Sequence, residues 1–157
     1  MKLVVLIALL GFALPFQADQ PPTYKDFPAR ETFVGKPANL ILNSSKARAF
    51  RTVLRRETAA GPNFAGHFTL ARWGCGAGCI SWAIIDARSG RIWFAPFTVE
   101  DASAAKILED RNHSIDFELT SELIVVNGAL NGAEAGHFYY RWHDGVLTRV
   151  YFRRHDQ

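Results

Sequence analysis

Hydrophobic and polar positions along this chain change rhythm several times, and each change predicts an element. Leu3–Leu10 is an unbroken apolar run. Asp19–Lys36 is polar and carries Pro21, Pro22 and Pro28, followed by Pro37, with no period, which predicts an extended arm over 19–37. Ala38–Leu42 is a short apolar run, expected as the first strand. From Ser44 or Ser45, either able to cap, a helix is expected to about Ala59: Ala47, Phe50, Val53 and Leu54 form one stripe. Gly61 and Pro62 stop it. Phe64–Trp73 alternates as a strand, with Phe64, Phe68 and Leu70 on one face and His67, Thr69, Ala71 and Trp73 on the other.

A glycine-rich loop, Gly74–Cys79, follows. Ile80–Asp86 and Arg91–Phe97 then read as a hairpin about Ala87–Gly90, with Gly90 supplying the left-handed residue. Thr98 caps an expected second helix through Asp110, with a turn over Asp110–His113. Ile115–Leu119 and Glu122–Asn127 make a second hairpin across Thr120-Ser121. After a glycine-bearing loop, Asn127–Gly136, a third is expected from Gly136–Trp142 and Val146–Phe152 about His143-Asp144-Gly145. The sum is one α+β domain over 38–157: a mainly antiparallel sheet of about seven strands in three hairpins, with two helices.

Composition changes this picture little. Of 157 residues 48% are hydrophobic and 13% aromatic, enough for one packed core. The N-terminus changes it more. Lys2, the apolar run and the small residues of Gly11–Ala18 make 1–18 a Sec-type signal peptide, cleaved after Ala13 or Ala18; the alternative is a buried N-terminal helix. The apolar run is too short to span a bilayer. The expected location is therefore a bacterial periplasm or the medium. Losing 1–18 removes a single charge, Lys2, so the formal +3 becomes +2. A charge that small does not argue for nucleic acid, which asks for a concentrated patch. Lys46, Arg48, Arg51, Arg55 and Arg56 do line one helix face, read as a solvated surface or as a dock for a polyanion.

Candidate chemistry centres on Gly61–Phe97. Cys75 and Cys79 are the only cysteines, so in an oxidising compartment a disulfide is the default. Closing so short a loop is worth only about 2 kcal/mol, which suits a device that shapes an exposed loop better than a core brace. Trp73, Gly74, Gly76, Ala77 and Gly78 would then be the binding surface. The alternative is a thiol- or zinc-dependent enzyme using Cys75 and Cys79 with His67, and His137 as a further zinc ligand. Ala65-Gly66-His67-Phe68 recurs as Ala135-Gly136-His137-Phe138, so the two histidines meet if those strands are neighbours. Trp73, Trp82 and Trp93 either line a carbohydrate-type platform or pack in the core. Walker, Rossmann and HExxH patterns are absent, and no cofactor is implied.

Asn63-Phe64-Ala65-Gly66-His67, Trp73-Gly74-Cys75-Gly76 with Cys79, and Ile84-Ile85-Asp86 with Ser89-Gly90 resemble a group of secreted bacterial proteins. That resemblance brings no activity with it. A signal peptide, a short helix, a strand, a small cysteine-closed loop and an immediate hairpin also resemble the Ivy-type periplasmic inhibitors of vertebrate lysozyme. In that family the disulfide loop protrudes and plugs the muramidase site. The resemblance implies that Gly76-Ala77-Gly78 is the inhibitory loop; it is one residue shorter than the family's and lacks its histidine. The readings open at this stage are a binding protein with an unidentified protein or envelope partner, a thiol or zinc enzyme, and a structural envelope protein.

Overall fold

A computed structural model describes residues 20–100 and 114–155. The expected signal peptide, the greater part of the helix expected after Thr98 and the Asp110–His113 turn lie outside the described residues. Among those described, eight strands form one antiparallel sheet: β1 (Phe68–Gly76), β2 (Cys79–Asp86), β3 (Ile92–Phe94), β4 (Val99–Glu100), β5 (Ile115–Phe117), β6 (Leu123–Leu130), β7 (Ala135–His143) and β8 (Val146–Arg154). The spatial order is β1-β2-β4-β6-β7-β8, with β3 on β2 and β5 on β6.

The helical stripe folds as expected but in two pieces, α1 (Ser45–Ala49) and α2 (Arg51–Ala59). Ser44 is the cap: its Oγ accepts from the Ala47 amide at 3.0 Å. The break falls at Phe50, whose φ of −95° and ψ of 11° leave the helical region. The Phe50 ring docks at 4.9 Å on Trp73 and 6.4 Å on Phe94. Leu54, fully buried, completes this contact with Ala71, Ala83 and Ile85 of β1 and β2.

The opposite face of the same strands builds the main core. Period-two alternation sends Leu70, Trp82 and Ile84 one way and Ala71, Ala83 and Ile85 the other. In the main core Leu70, Trp82 and Ile84 meet Ile124 and Val126 of β6 and Phe138, Tyr140 and Trp142 of β7. The sheet has to curl for this. β1 and β7 are four places apart in the sheet, about 19 Å if it were flat. Yet the Phe68 and Trp142 rings are 5.8 Å apart, edge to face.

Several sequence expectations are corrected. Ala38–Leu42 is extended but is no strand: it donates Ala38 N–H to the Ala87 carbonyl and Ile41 N–H to that of Gly90, single anchors rather than a ladder. Phe64–His67 is a corner, and the strand starts at Phe68 because Ala65 and Gly66 have φ of 41° and 77°. The Gly74–Cys79 loop is ladder almost throughout, with only Ala77-Gly78 as its turn. β3 stops at Phe94, ahead of Pro96. Val99–Glu100, expected in a helix, is strand β4, holding Cys79–Ile80 on one side and Ala129–Leu130 on the other. β6 continues through the expected Asn127–Gly136 loop as far as Leu130. Gly128 permits this, since a Cβ there would come within 2.5 Å of the Glu100 carbonyl oxygen.

The second and third hairpins stand where expected, the third turning on Asp144 and Gly145 with φ of 49° and 80°. The N-terminal arm is stitched to the domain. Glu122 donates its amide to the Phe27 carbonyl, Ala29 to that of Thr120, and Phe33 to that of Gly66. Burial, reinforced by Asp116 and Glu118, pushes the Tyr24 phenol up to about 12.

Candidate functional site

The disulfide forms between Cys75 and Cys79, with Cα atoms 5.1 Å apart. Local geometry explains how. Gly74 pairs with Ile80 and Gly76 with Cys79, so Cys75 is an extra residue bulged out of the ladder. The bulge brings it beside Cys79 across a two-residue turn. Gly74, Cys75, Gly76 and Ala77 are exposed at this end of the β1–β2 ribbon. Trp73 is different. It lies beneath the ribbon, half-buried between Phe50 and Phe94. The tip is therefore a rigid backbone knob on an aromatic footing.

The residues a thiol or zinc reading needs are not brought together. Both sulfurs are in the disulfide. His67 precedes the other end of β1, roughly 25 Å along the strand from Cys75. It stacks on Phe68 at 4.0 Å, and its Nε2 lies 3.9 Å from Asp86. His137 faces His155 at 4.8 Å on the β7–β8 ribbon, away from His67. Neither is part of a cluster of three or more His, Cys, Asp or Glu able to hold a metal among the described residues. The sequence echo has a steric origin in both copies. A Cβ at Gly66 would overlap the Glu31 carbonyl, and one at Gly136 would sit 2.5 Å from that of Arg153.

Both imidazoles titrate below the usual 6.5. Burial is the main cause in each; Arg88 adds to it at His67 against Asp86 and Glu31, and His155 and Arg153 add to it at His137. As pH falls the unfolded chain binds these protons first, so stability is complete above the unfolded value and declines below it. The denaturation midpoint should therefore drop as pH falls through the ordinary imidazole value of 6.5, and H67Q should flatten part of that slope. A midpoint that rises on acidification would contradict this.

Sequence reasoning missed a charged basin at the His67 end. A hollow of about 240 Å³ lies between Arg30, Glu31, His67, Arg88, Glu122 and His143. Buried Glu122 is its organiser. Its Oε2 accepts from Arg141 Nε at 2.9 Å and from His143 Nδ1 at 3.1 Å. Arg30 Nη2 lies 2.7 Å from His143 Nε2, and Arg141 Nη2 lies 3.3 Å from Nδ1. Asp144 is 3.2 Å from the same Nε2, so no ring nitrogen is open to a substrate. Arg88 pairs with Glu31 above His67. The cluster reads as a clasp holding the arm to the β7–β8 hairpin. E122A should cost about 1–3 kcal/mol by chemical denaturation. That is less than the loss for a fully buried pair, because Arg30 and Arg141 can rehydrate. No spacing in the sequence signals this site, whose members come from five separate segments.

Comparison with models of protein families, with curated proteins and with solved structures finds no match for this chain.

Proposed function

We propose that this is a periplasmic or secreted binding protein whose presented surface is the Cys75–Cys79 ribbon tip. The partner class is a cell-wall hydrolase, with Gly76-Ala77-Gly78 entering its cleft. The observation that carries the reading is the tip itself: an exposed, glycine-flanked hairpin turn, locked by a disulfide at the end of a ribbon whose base is packed. A knob held in one conformation loses little entropy when it is inserted, and that raises affinity without new contacts. Its exposed backbone groups are the donors and acceptors on offer. The thiol and zinc readings gain no support from a geometry in which both sulfurs are paired.

The test is inhibition of cell-wall hydrolysis by a panel of muramidases, with complex formation followed by gel filtration. Wild type should inhibit at least one of them. A77W, at an exposed turn position, should keep the fold and weaken inhibition by about 100-fold or more, the loss expected at the centre of an interface. Absence of both inhibition and complex across the panel would sink the proposal. Reduction of the disulfide should lower stability by about 2 kcal/mol and weaken inhibition further than that loss alone explains. Secretion is tested separately: protein recovered from the periplasm should begin after Ala13 or Ala18.

A further inference from the structure

A second hollow lies on the helix side of the sheet, unrelated to the ribbon tip. It measures about 430 Å³ and runs between residues 36–40 of the arm and the end of α2. That is within the roughly 300–1,000 Å³ of small-molecule sites. Both walls are fixed. The Ala38 and Ile41 amides anchor the arm on the Ala87 and Gly90 carbonyls, so closely that a Cβ at Gly90 would overlap the Asn39 carbonyl. The helix is held from beneath by fully buried Leu54. Lys36, Asn39 and Arg55 line the hollow with Pro37, Leu40 and Ala59, and no carboxylate lines it.

The charge around it is one-sided. Residues 32–60 carry six Lys and Arg against one acid, Glu57, a local +5; the whole chain is only +3, so the rest of it is net −2. Glu57 is taken up by Arg56 at 2.8 Å. Lys36 and Arg55 form no ion pair among the described residues. Arg48 and Arg51 donate to the Leu42 and Arg48 carbonyls, which leaves their charge uncancelled. Arg51 and Arg55 stand four apart on α2, a spacing at which like charges destabilise a helix. An anion in the hollow offsets that repulsion. Two cations without a counter-charge match a dianion. A phosphate monoester carries about −1.5 to −2 at neutral pH, where a carboxylate carries half as much. The forked Arg55 guanidinium and the Lys36 ammonium are the donors that phosphate oxygens favour.

We propose that this hollow binds a phosphate monoester, with Lys36 and Arg55 pairing with its oxygens while Pro37, Leu40 and Ala59 meet its organic body. The basic helix face is legible in the sequence as a solvated surface or as a dock for a polyanion. The fold gives it a seat. Arg55 of the helix shares a hollow with Lys36 of the arm, a pairing that no helical spacing reveals.

The group is carried by small soluble esters and by phospholipid headgroups, and two arms distinguish them. Glycerol 3-phosphate is titrated into the protein by calorimetry at low salt, with glycerol and acetate as controls. Vesicles of phosphatidic acid in phosphatidylcholine are tested by co-sedimentation against phosphatidylcholine alone. Saturable binding of the soluble ester supports the site with a free ester as ligand; binding of the acidic vesicles alone supports it with a lipid as carrier. K36Q and R55Q alter exposed side chains, keep the fold by circular dichroism, and should each weaken binding about tenfold. A59W leaves every charge in place and should abolish binding by filling the hollow from an exposed position. K25Q, the same loss of charge at an exposed position outside the hollow, should leave binding unchanged. If neither probe binds up to roughly 10 mM, the proposal falls. Equal binding of acetate, binding that survives A59W, or a loss with K25Q as large as with R55Q would overturn it as well.

Discussion

Alanine at position 66 should destabilise this protein more than loss of its disulfide. Gly66 has φ of 77°, a region that costs a residue with a Cβ about 1–2 kcal/mol before any contact is counted. The contact is worse. The added Cβ would overlap the backbone carbonyl of Glu31, and a main-chain atom has no rotamer to escape into. The arm must then move, taking with it the bond from the Phe33 amide to the Gly66 carbonyl. The expected loss for G66A is about 4 kcal/mol, in the extreme tail for one substitution, with Tm falling by roughly 10–15 °C. A loss under about 1 kcal/mol would show that the arm yields freely. Limited proteolysis locates the strain: cleavage should begin in residues 28–36.

Phe64→Ala should come next, at about 3–5 kcal/mol. The ring is fully buried, 6.1 Å from Phe117 and 6.5 Å from Phe68. The corner around it cannot collapse into the space left behind. Its backbone is pinned by reciprocal bonds with Phe68, and by the Asn63 side chain, whose Oδ1 accepts from the Leu70 amide while its Nδ2 donates to the Leu70 carbonyl. A pinned frame keeps its cavity, and cavity volume sets the cost. Urea denaturation should show a lower midpoint with an unchanged slope. Because Gly66 shares the corner, F64A and G66A should combine sub-additively. In this chain, then, the Asn63–His67 stretch works as a corner post, and its conspicuous sequence reflects backbone geometry.

What the chain makes legible follows from the range of the forces involved. The second and third hairpins can be read because strand alternation and the Asp144-Gly145 turn are local. The disulfide is legible by arithmetic, there being two cysteines. Strand β4 is not: two residues, Val99–Glu100, carry no period, and Thr98 resembles a helix cap as readily as the strand entry it is. The Thr98 amide in fact donates to Asn131 Oδ1, a residue in another turn. The curl of the sheet, the clasp around Glu122 and the pairing of Trp142 with Trp93 all depend on which distant segments meet. Trp142 lies in a clear strand, yet nothing near it says that it faces Phe68 across the core.

Strand β4 also gives the disulfide a second office. Among the described residues it is the only strand that pairs with both the β1–β3 side of the sheet and the β5–β8 side. Cys79 is one of its register partners, opposite Glu100. The exposed knob and the seam of the sheet thus share a residue, like a latch mounted on the door it closes. Force applied at the tip by anything that grips it passes straight into the seam, and the disulfide shortens that lever to a single turn. Loosening the latch would show first as faster amide exchange at positions 99, 100, 129 and 130, far ahead of any global unfolding.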